Sequence, residues 1–191
     1  INFIYSKIIN PVLIPKLELR DGIPEEASTI VVIPTLLFNE ERVEELCQNL
    51  ETYYLANKEE NLYFAIAGDF KDGPNEVEEE DKNIIKKGLE CIEKLNQKYS
   101  TKENIFYFFH RKRIYSHNEE KWMGWERKRG ALVEFNDLLL GNNNTTFKII
   151  SSDISVLREN VKYVITLDGD TQLPLETAKK LIGTMYHPLN R

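Results

Sequence analysis

"STIVVIPTL", residues 28–36, sets the β-branched run Ile30, Val31, Val32 and Ile33 just ahead of a proline. A segment that is apolar on both of its alternating sides fits a strand covered on both faces, as in a parallel sheet, better than one with a wet face. "NEERVEELCQNLETYYLAN" (39–57) comes next, with Val43, Leu46, Leu50 and Tyr54 at helical spacing and Asn39 in the N-cap position. The order is strand then helix, and it repeats. "LYFAIAGDF" (62–70) is a second apolar strand ending at Asp69, "KDGPN" is turn chemistry, and the spacing of Ile84, Ile85, Leu89, Ile92 and Leu95 predicts a helix over 76–99. The acidic start of that helix, "NEVEEEDK" (75–82), suits the positive end of a helix dipole.

Further along, "NIFYFFHR" (104–111) reads as a strand, "GWERKRGALVEFNDLLLG" (124–141) as a helix closed by Gly141, and "VKYVITLD" (161–168) as a strand. "LPLETAKKLIGTMYH" (173–187) opens a last helix, with Pro174 near its first turn. Strands alternating with helices define an α/β fold: a mostly parallel, twisted sheet flanked by helices. Ligands in such sheets bind outside the carboxyl ends of the strands. Three ends stand out, at Pro34-Thr35-Leu36, Gly68-Asp69-Phe70 and Asp168-Gly169-Asp170, and they are expected to meet in one crevice.

The 191 residues suffice for one substantial core. A composition of 41% hydrophobic and 29% charged residues is that of a soluble globular domain, and no stretch approaches the roughly 18 apolar residues of a membrane span. "INFIYSKIINPVLIPKLEL" (1–19) starts at Ile1 and lacks the marks of a signal peptide. It reads as the apolar arm (1–26) of an excised fragment whose ligand-binding portion is 27–191. Phe3, Ile4, Ile8 and Ile9 suit a bilayer surface as well as a core. A net charge of −6 argues against nucleic acid as a partner. Cys47 and Cys91, without CxxC spacing, read as reduced and packed thiols, and His110, His117 and His187 have no metal-ligand spacing.

The motif "DGDTQ" (168–172) carries the chemistry. GxGxxG and GxxxxGK[ST] are absent, and an EF-hand loop fails at Gln172 and Leu173. Residues i and i+2 of an extended chain face the same side, so Asp168 and Asp170 can approach one ligand cluster across Gly169. A divalent cation there, such as magnesium, would bridge the carboxylates to a nucleotide diphosphate and offset charge on it as it departs. The plain alternative is that both aspartates cap the following turn and helix. "RKRIYSHNEEKWMGWERKR" (111–129) joins cations to Tyr115, Trp122 and Trp125. The indoles suit stacking on a sugar or base, or core packing; the cations of "ERKRG" suit a diphosphate, with Gly130 permitting close backbone approach.

"DGIPEEASTIVVIPTLL" (21–37), "NLYFAIAGDF" (61–70), "WMGWERKRGALVEFNDLL" (122–139) and "VITLDGDTQLPLETAKKLIGTMYHPLNR" (164–191) resemble successive blocks of the glycosyltransferase domain of cyclic β-1,2-glucan synthases. The likeness runs from about Pro15 to Arg191. It implies a GT-A-type, Rossmann-like nucleotide-sugar fold within a large, multi-pass protein of the bacterial inner membrane. It implies UDP-glucose as donor, a glucan acceptor at the cytoplasmic face, magnesium or manganese as cofactor, and partnership with the parent's other domains and transmembrane helices. By the same resemblance Pro34, Thr35 and Leu36 lie at the nucleotide, Asp69 near the uracil, and Asp168 and Asp170 at diphosphate and metal. Lys128 and Arg129 are similar to the basic pair ahead of the helix that lines the donor site. Many relatives read alanine at the position of Gly169.

Inverting transfer needs a carboxylate base, and a metal-bound aspartate suits that work poorly. The resemblance places the base downstream of the DxD pair, beyond Arg191, so the fragment is expected to bind UDP with metal weakly and to transfer no sugar. Two rival readings stand. A phosphatase of the haloacid-dehalogenase type would use Asp168 as nucleophile, although Gln172 departs from its DxDx[TV] motif. A non-enzymatic interaction module would use the acidic helix and basic segment as docking faces.

Overall fold

A computed structural model describes residues 14–190. The opening run forms β1 (Thr29–Leu37), followed by α1 (Glu40–Ala56), β2 (Leu62–Phe70), α2 (Asp81–Tyr99) and β3 (Phe106–Arg111). A small antiparallel hairpin comes next, β4 (Ile114–Ser116) with β5 (Lys121–Met123), then α3 (Arg127–Leu139) and β6 (Phe147–Ile150). The described chain closes with α4 (Ser155–Asn160), β7 (Tyr163–Thr166), α5 (Thr177–Met185) and a 3₁₀ turn at Pro188–Asn190.

The main sheet has the order β6-β3-β2-β1-β7. β3, β2, β1 and β7 run parallel, and β6 is antiparallel to β3 at one edge. This is the mostly parallel α/β architecture, Rossmann-like, that the alternating elements predict.

Both faces of the central strands β1, β2 and β3 are buried, which is why these strands are predominantly apolar. Val31, Ile33 and Leu37 of β1 pack with Phe64, Ile66, Phe106 and Phe108 beneath α1, α2 and α5. Ile30 and Val32 face the other way, with Tyr107 and Phe109, against Phe135 and Leu138 of α3 and Leu157 of α4.

From β1 the chain steps to β2 and β3 on one side, then crosses to β7 on the other. The strand order therefore reverses at β1, and the gap outside the carboxyl ends of β1 and β7 is the switch-point crevice. Pro34 helps to open it. Val32 turns its carbonyl toward β7, accepting from Leu167 N at 3.0 Å. By the two-residue alternation of a strand Pro34 faces the same way, yet it has no N–H to continue the ladder.

Four features differ from the sequence reading. The second helix begins at Asp81 rather than 76, because side chains capture the preceding amides: Glu78 accepts from Asn75 N at 3.2 Å and Asp81 from Glu78 N at 2.8 Å. Asp81 is buried and also takes two hydrogen bonds from Arg113, at 2.5 and 3.0 Å, so it does more than meet a helix dipole. The hairpin β4–β5 and the edge strand β6, at three and four residues each, are too short to declare a period. Finally, β7 stops at Thr166, before the aspartates.

Of the arm, residues 1–13, with Phe3, Ile4, Ile8 and Ile9, lie outside the described residues, as does Arg191. The remainder packs on the domain. Leu17 N donates to Gly183 O of α5 at 3.0 Å, Asn190 Nδ2 donates to Pro15 O at 2.8 Å, and Ile23 is buried in the core.

Candidate functional site: an acidic turn at the switch point

Asp168 and Asp170 stand on a turn. Thr171 N donates to Asp168 O at 2.9 Å, closing residues 168–171, so the extended geometry expected across Gly169 is absent. Both aspartates are exposed. Among the described residues neither carboxylate caps a backbone amide; Asp168 meets Lys128, and the Asp170 carboxylate has no hydrogen bond or ion pair. Nor do they cap α5, which starts at Thr177 with Glu176 as N-cap.

A polar stripe of α1 holds this turn from below. Arg42 Nη2 donates to Gly169 O at 3.2 Å while its Nη1 is anchored to Glu45 at 2.7 Å. Tyr53 Oη donates to Thr171 O at 2.7 Å. Asn57, buried, donates to Pro174 O at 3.1 Å and accepts from Ala178 N at 3.0 Å. Sequence reading assigned these residues only to a helix. Side chains from α1 thus hold the turn by the carbonyls of Gly169 and Thr171, while its two carboxylates stay exposed. A Cβ at Gly169 would stand 2.5 Å from Arg42 Nη2 and 3.2 Å from Thr35 Oγ1, so the glycine lets the guanidinium lie close and places Thr35 beside the turn.

Above the turn sits the start of α3. Lys128 Nζ is ion-paired with Asp168 Oδ1, bringing together two residues 40 positions apart that the sequence singled out separately. Arg129 points elsewhere, to Glu126 at 3.0 Å, and Arg127 pairs with Asp72 and Glu119 at 3.0 and 2.9 Å. This helix start breaks local rules. Its first turn holds cations and no acid, where the dipole favours anions, and Glu126 and Arg127 adopt left-handed backbone with no side-chain cap. Such conflicts concentrate at functional sites.

Asp69, through Arg111, anchors that start. Arg111 Nε and Nη2 reach its two oxygens at 2.6 and 2.5 Å, and the guanidinium also donates to Trp125 O and Arg127 O, both at 2.9 Å. A register shift between His110 and Arg111 marks where β3 departs from the regular ladder. Burial pushes the Asp69 carboxyl upward in pKa, against the pull of Arg111. Gly124 packs on this pair, since a Cβ there would lie 2.8 Å from both residues. Gly130 serves a close approach too, but to the Trp125 carbonyl, 2.0 Å from where a Cβ would be. Arg111 and Arg113, which the sequence placed in the basic and aromatic stretch suited to a ligand, are both fully buried. The signal for Arg111 was Asp69 itself: an acid ending a buried strand requires a partner.

At β1, Pro34 is buried, Thr35 half-buried and Leu36 exposed, the last paired in register with Asp69. The two tryptophans part company. Trp122 is locked into the hairpin by a two-way backbone pairing with Gly73, at 2.9 and 3.0 Å, and its ring lies edge-on to Tyr115. Trp125, 41% exposed, lines a hollow of about 430 Å³ with Tyr115, Met123 and Arg127. A separate hollow of about 320 Å³, lined by Phe38, Asn39, Lys71 and Glu80 between α1 and α2, contains none of the expected residues.

An open, mostly parallel sheet flanked by helices, with an acidic turn at the strand reversal and a cationic helix start beside it, defines the chain as a Rossmann-like α/β domain. No family model matches it. Along all 191 residues it is 39% identical to the cyclic beta-(1,2)-glucan synthase NdvB of Rhizobium meliloti (strain 1021), and it spans 7% of the length of that protein. The chain is related over its whole length to one segment of this synthase, as its sequence blocks imply. Among the described residues no helix is long and apolar enough to cross a membrane.

Proposed function

We propose that this chain is the donor-binding portion of an inverting glycosyltransferase that passes glucose from UDP-glucose to a growing β-1,2-glucan. The observation that carries the reading is the outward presentation of Asp168 and Asp170 at the switch point, their turn held by α1 and a lysine already drawn to one of them. The 39% identity to a cyclic beta-(1,2)-glucan synthase supports the product class.

The donor set fits magnesium or manganese. Both groups are hard carboxylate oxygens, and a cationic ammonium rests on Asp168. Two carboxylates would leave the remaining positions of such a cation to diphosphate and water. Bound by Asp168 and Asp170, such a cation supplies neutralisation of the departing UDP. The protein's own groups supply the rest. Pro34, Thr35 and Leu36 border the nucleotide, Lys128 adds a positive charge beside the diphosphate, and Trp125 offers an indole face to a sugar. Asp69 acts through Arg111, fixing the loop that carries Trp125 and Lys128. Arg129, directed at Glu126, takes a peripheral place.

In this reading the chain works at the cytoplasmic face of the inner membrane with the parent's remaining domains. Calorimetry with UDP tests it: manganese-dependent heat is expected in the parent chain and its loss in Asp170→Asn. Equal heats in both would remove the metal role of Asp170.

A further inference from the structure

Three cations open α3, yet their partners differ. Arg127 is held by Asp72 and Glu119, and Arg129 by Glu126. Lys128 alone of the three reaches the acidic turn, across the crevice mouth, and both it and Asp168 remain about half exposed. The neighbouring acids Asp72, Glu119 and Glu126 are already held by the two arginines, and Lys128 is engaged by the carboxylate proposed for a metal.

Two positive charges cannot share one carboxylate oxygen without strong repulsion. Arrival of a divalent cation at Asp168 therefore expels the ammonium. The flexible four-carbon stem of lysine permits that swing, and a diphosphate bound at the same cation is the anion within its reach.

We propose that Lys128 is an exchangeable counter-ion: it occupies Asp168 while the site is free of metal, and transfers to the nucleotide diphosphate when a divalent cation takes its place. The inference rests on the metal-and-nucleotide reading above. Its consequence is cooperativity. Metal alone must displace Lys128 with nothing to receive it, whereas metal with nucleotide gives the ammonium a new partner. By linkage each ligand then raises the affinity for the other.

The test is a titration of manganese, followed by electron paramagnetic resonance of the free ion, with and without UDP. It compares the parent chain with Lys128→Ala, Lys128→Arg and Asp170→Asn. For Lys128→Ala two quantities move in opposite directions, the affinity for manganese alone and the gain that UDP confers on it. Manganese alone is expected to bind about two- to five-fold tighter, the scale of an exposed ion pair removed. The gain in manganese affinity conferred by UDP is expected to fall by about the same factor or more, and Lys128→Arg to retain most of it. A merely structural lysine would move neither quantity, or both the same way.

If Lys128→Ala binds manganese alone no tighter than the parent, or keeps the full UDP effect, the counter-ion role is overturned. The nucleotide site still stands in that case, provided Asp170→Asn loses manganese. If Asp170→Asn binds manganese as the parent does, the underlying reading falls and the counter-ion proposal with it.

Discussion

Arg111 grips Asp69 through two parallel hydrogen bonds, at 2.6 and 2.5 Å, with its guanidinium wholly out of solvent. The pair joins β3 to β2 and, through the carbonyls of Trp125 and Arg127, sets where α3 starts. Removing one partner strands the other as a buried charge. Asp69→Ala is expected to lower unfolding stability by about 3–5 kcal/mol, toward the lower end because Glu134 lies 3.4 Å from Arg111. Urea denaturation measures it; a loss under 1 kcal/mol would show that Glu134 replaces Asp69 fully.

His110 makes stability depend on pH. Its Nδ1 bonds to Arg111 O at 2.8 Å and must carry the proton, while Nε2 is buried without a partner. Burial lowers its pKa from 6.5 to about 3, so the folded state keeps the ring neutral where the unfolded chain protonates. Stability is full above pH 6.5 and is lost as pH falls toward 3. Between pH 7 and 5 this group removes about 2 kcal/mol. Denaturation at pH 7, 6 and 5 should show that slope in the parent and its absence in His110→Phe; the same slope in both would assign it elsewhere.

The stripe on α1 predicts a local effect. Asn57→Ala deletes the acceptor of Ala178 N and the donor to Pro174 O. A loss of about 1–3 kcal/mol is expected, together with faster hydrogen exchange at the Ala178 amide. Unchanged exchange there would mean that α5 is held independently of α1.

Two glycines forecast opposite tolerance. At Gly169 an added Cβ meets the end of the Arg42 side chain, which can swing away, so Gly169→Ala is expected to stay within about 1 kcal/mol of the parent. At Gly130 it meets the Trp125 backbone carbonyl, which cannot move without the helix start, so Gly130→Ala should lose about 1–3 kcal/mol. Thermal unfolding of both variants decides; comparable losses would contradict the geometry.

How legible all this was in the sequence follows from which forces act locally. β1, β2 and β3 were readable because strands buried on both faces are apolar nearly residue by residue, and Asn39 announced α1 by the capping bond it accepts from Arg42 N at 2.8 Å. The strand-end residues of β1, β2 and β7 do fall on neighbouring strands, with Leu36 beside Asp69. Strand alternation misjudged the aspartates, because β7 ends at Thr166 and three long-range bonds from α1 shape the turn. The same limit hid Arg111 and Arg113. A cation run looks solvated until the buried acids that neutralise it, Asp69 and Asp81, are brought close by the fold.

The central claim is that the acidic turn binds a cation together with a nucleotide's diphosphate. Crystals of the chain soaked in UDP and manganese, measured at the manganese absorption edge, test it most directly. An anomalous peak within about 2.3 Å of Asp170 and the diphosphate oxygens is expected, with Lys128 withdrawn from Asp168. Bound UDP without a peak at that turn, or manganese held elsewhere with Asp170 free, would contradict the account.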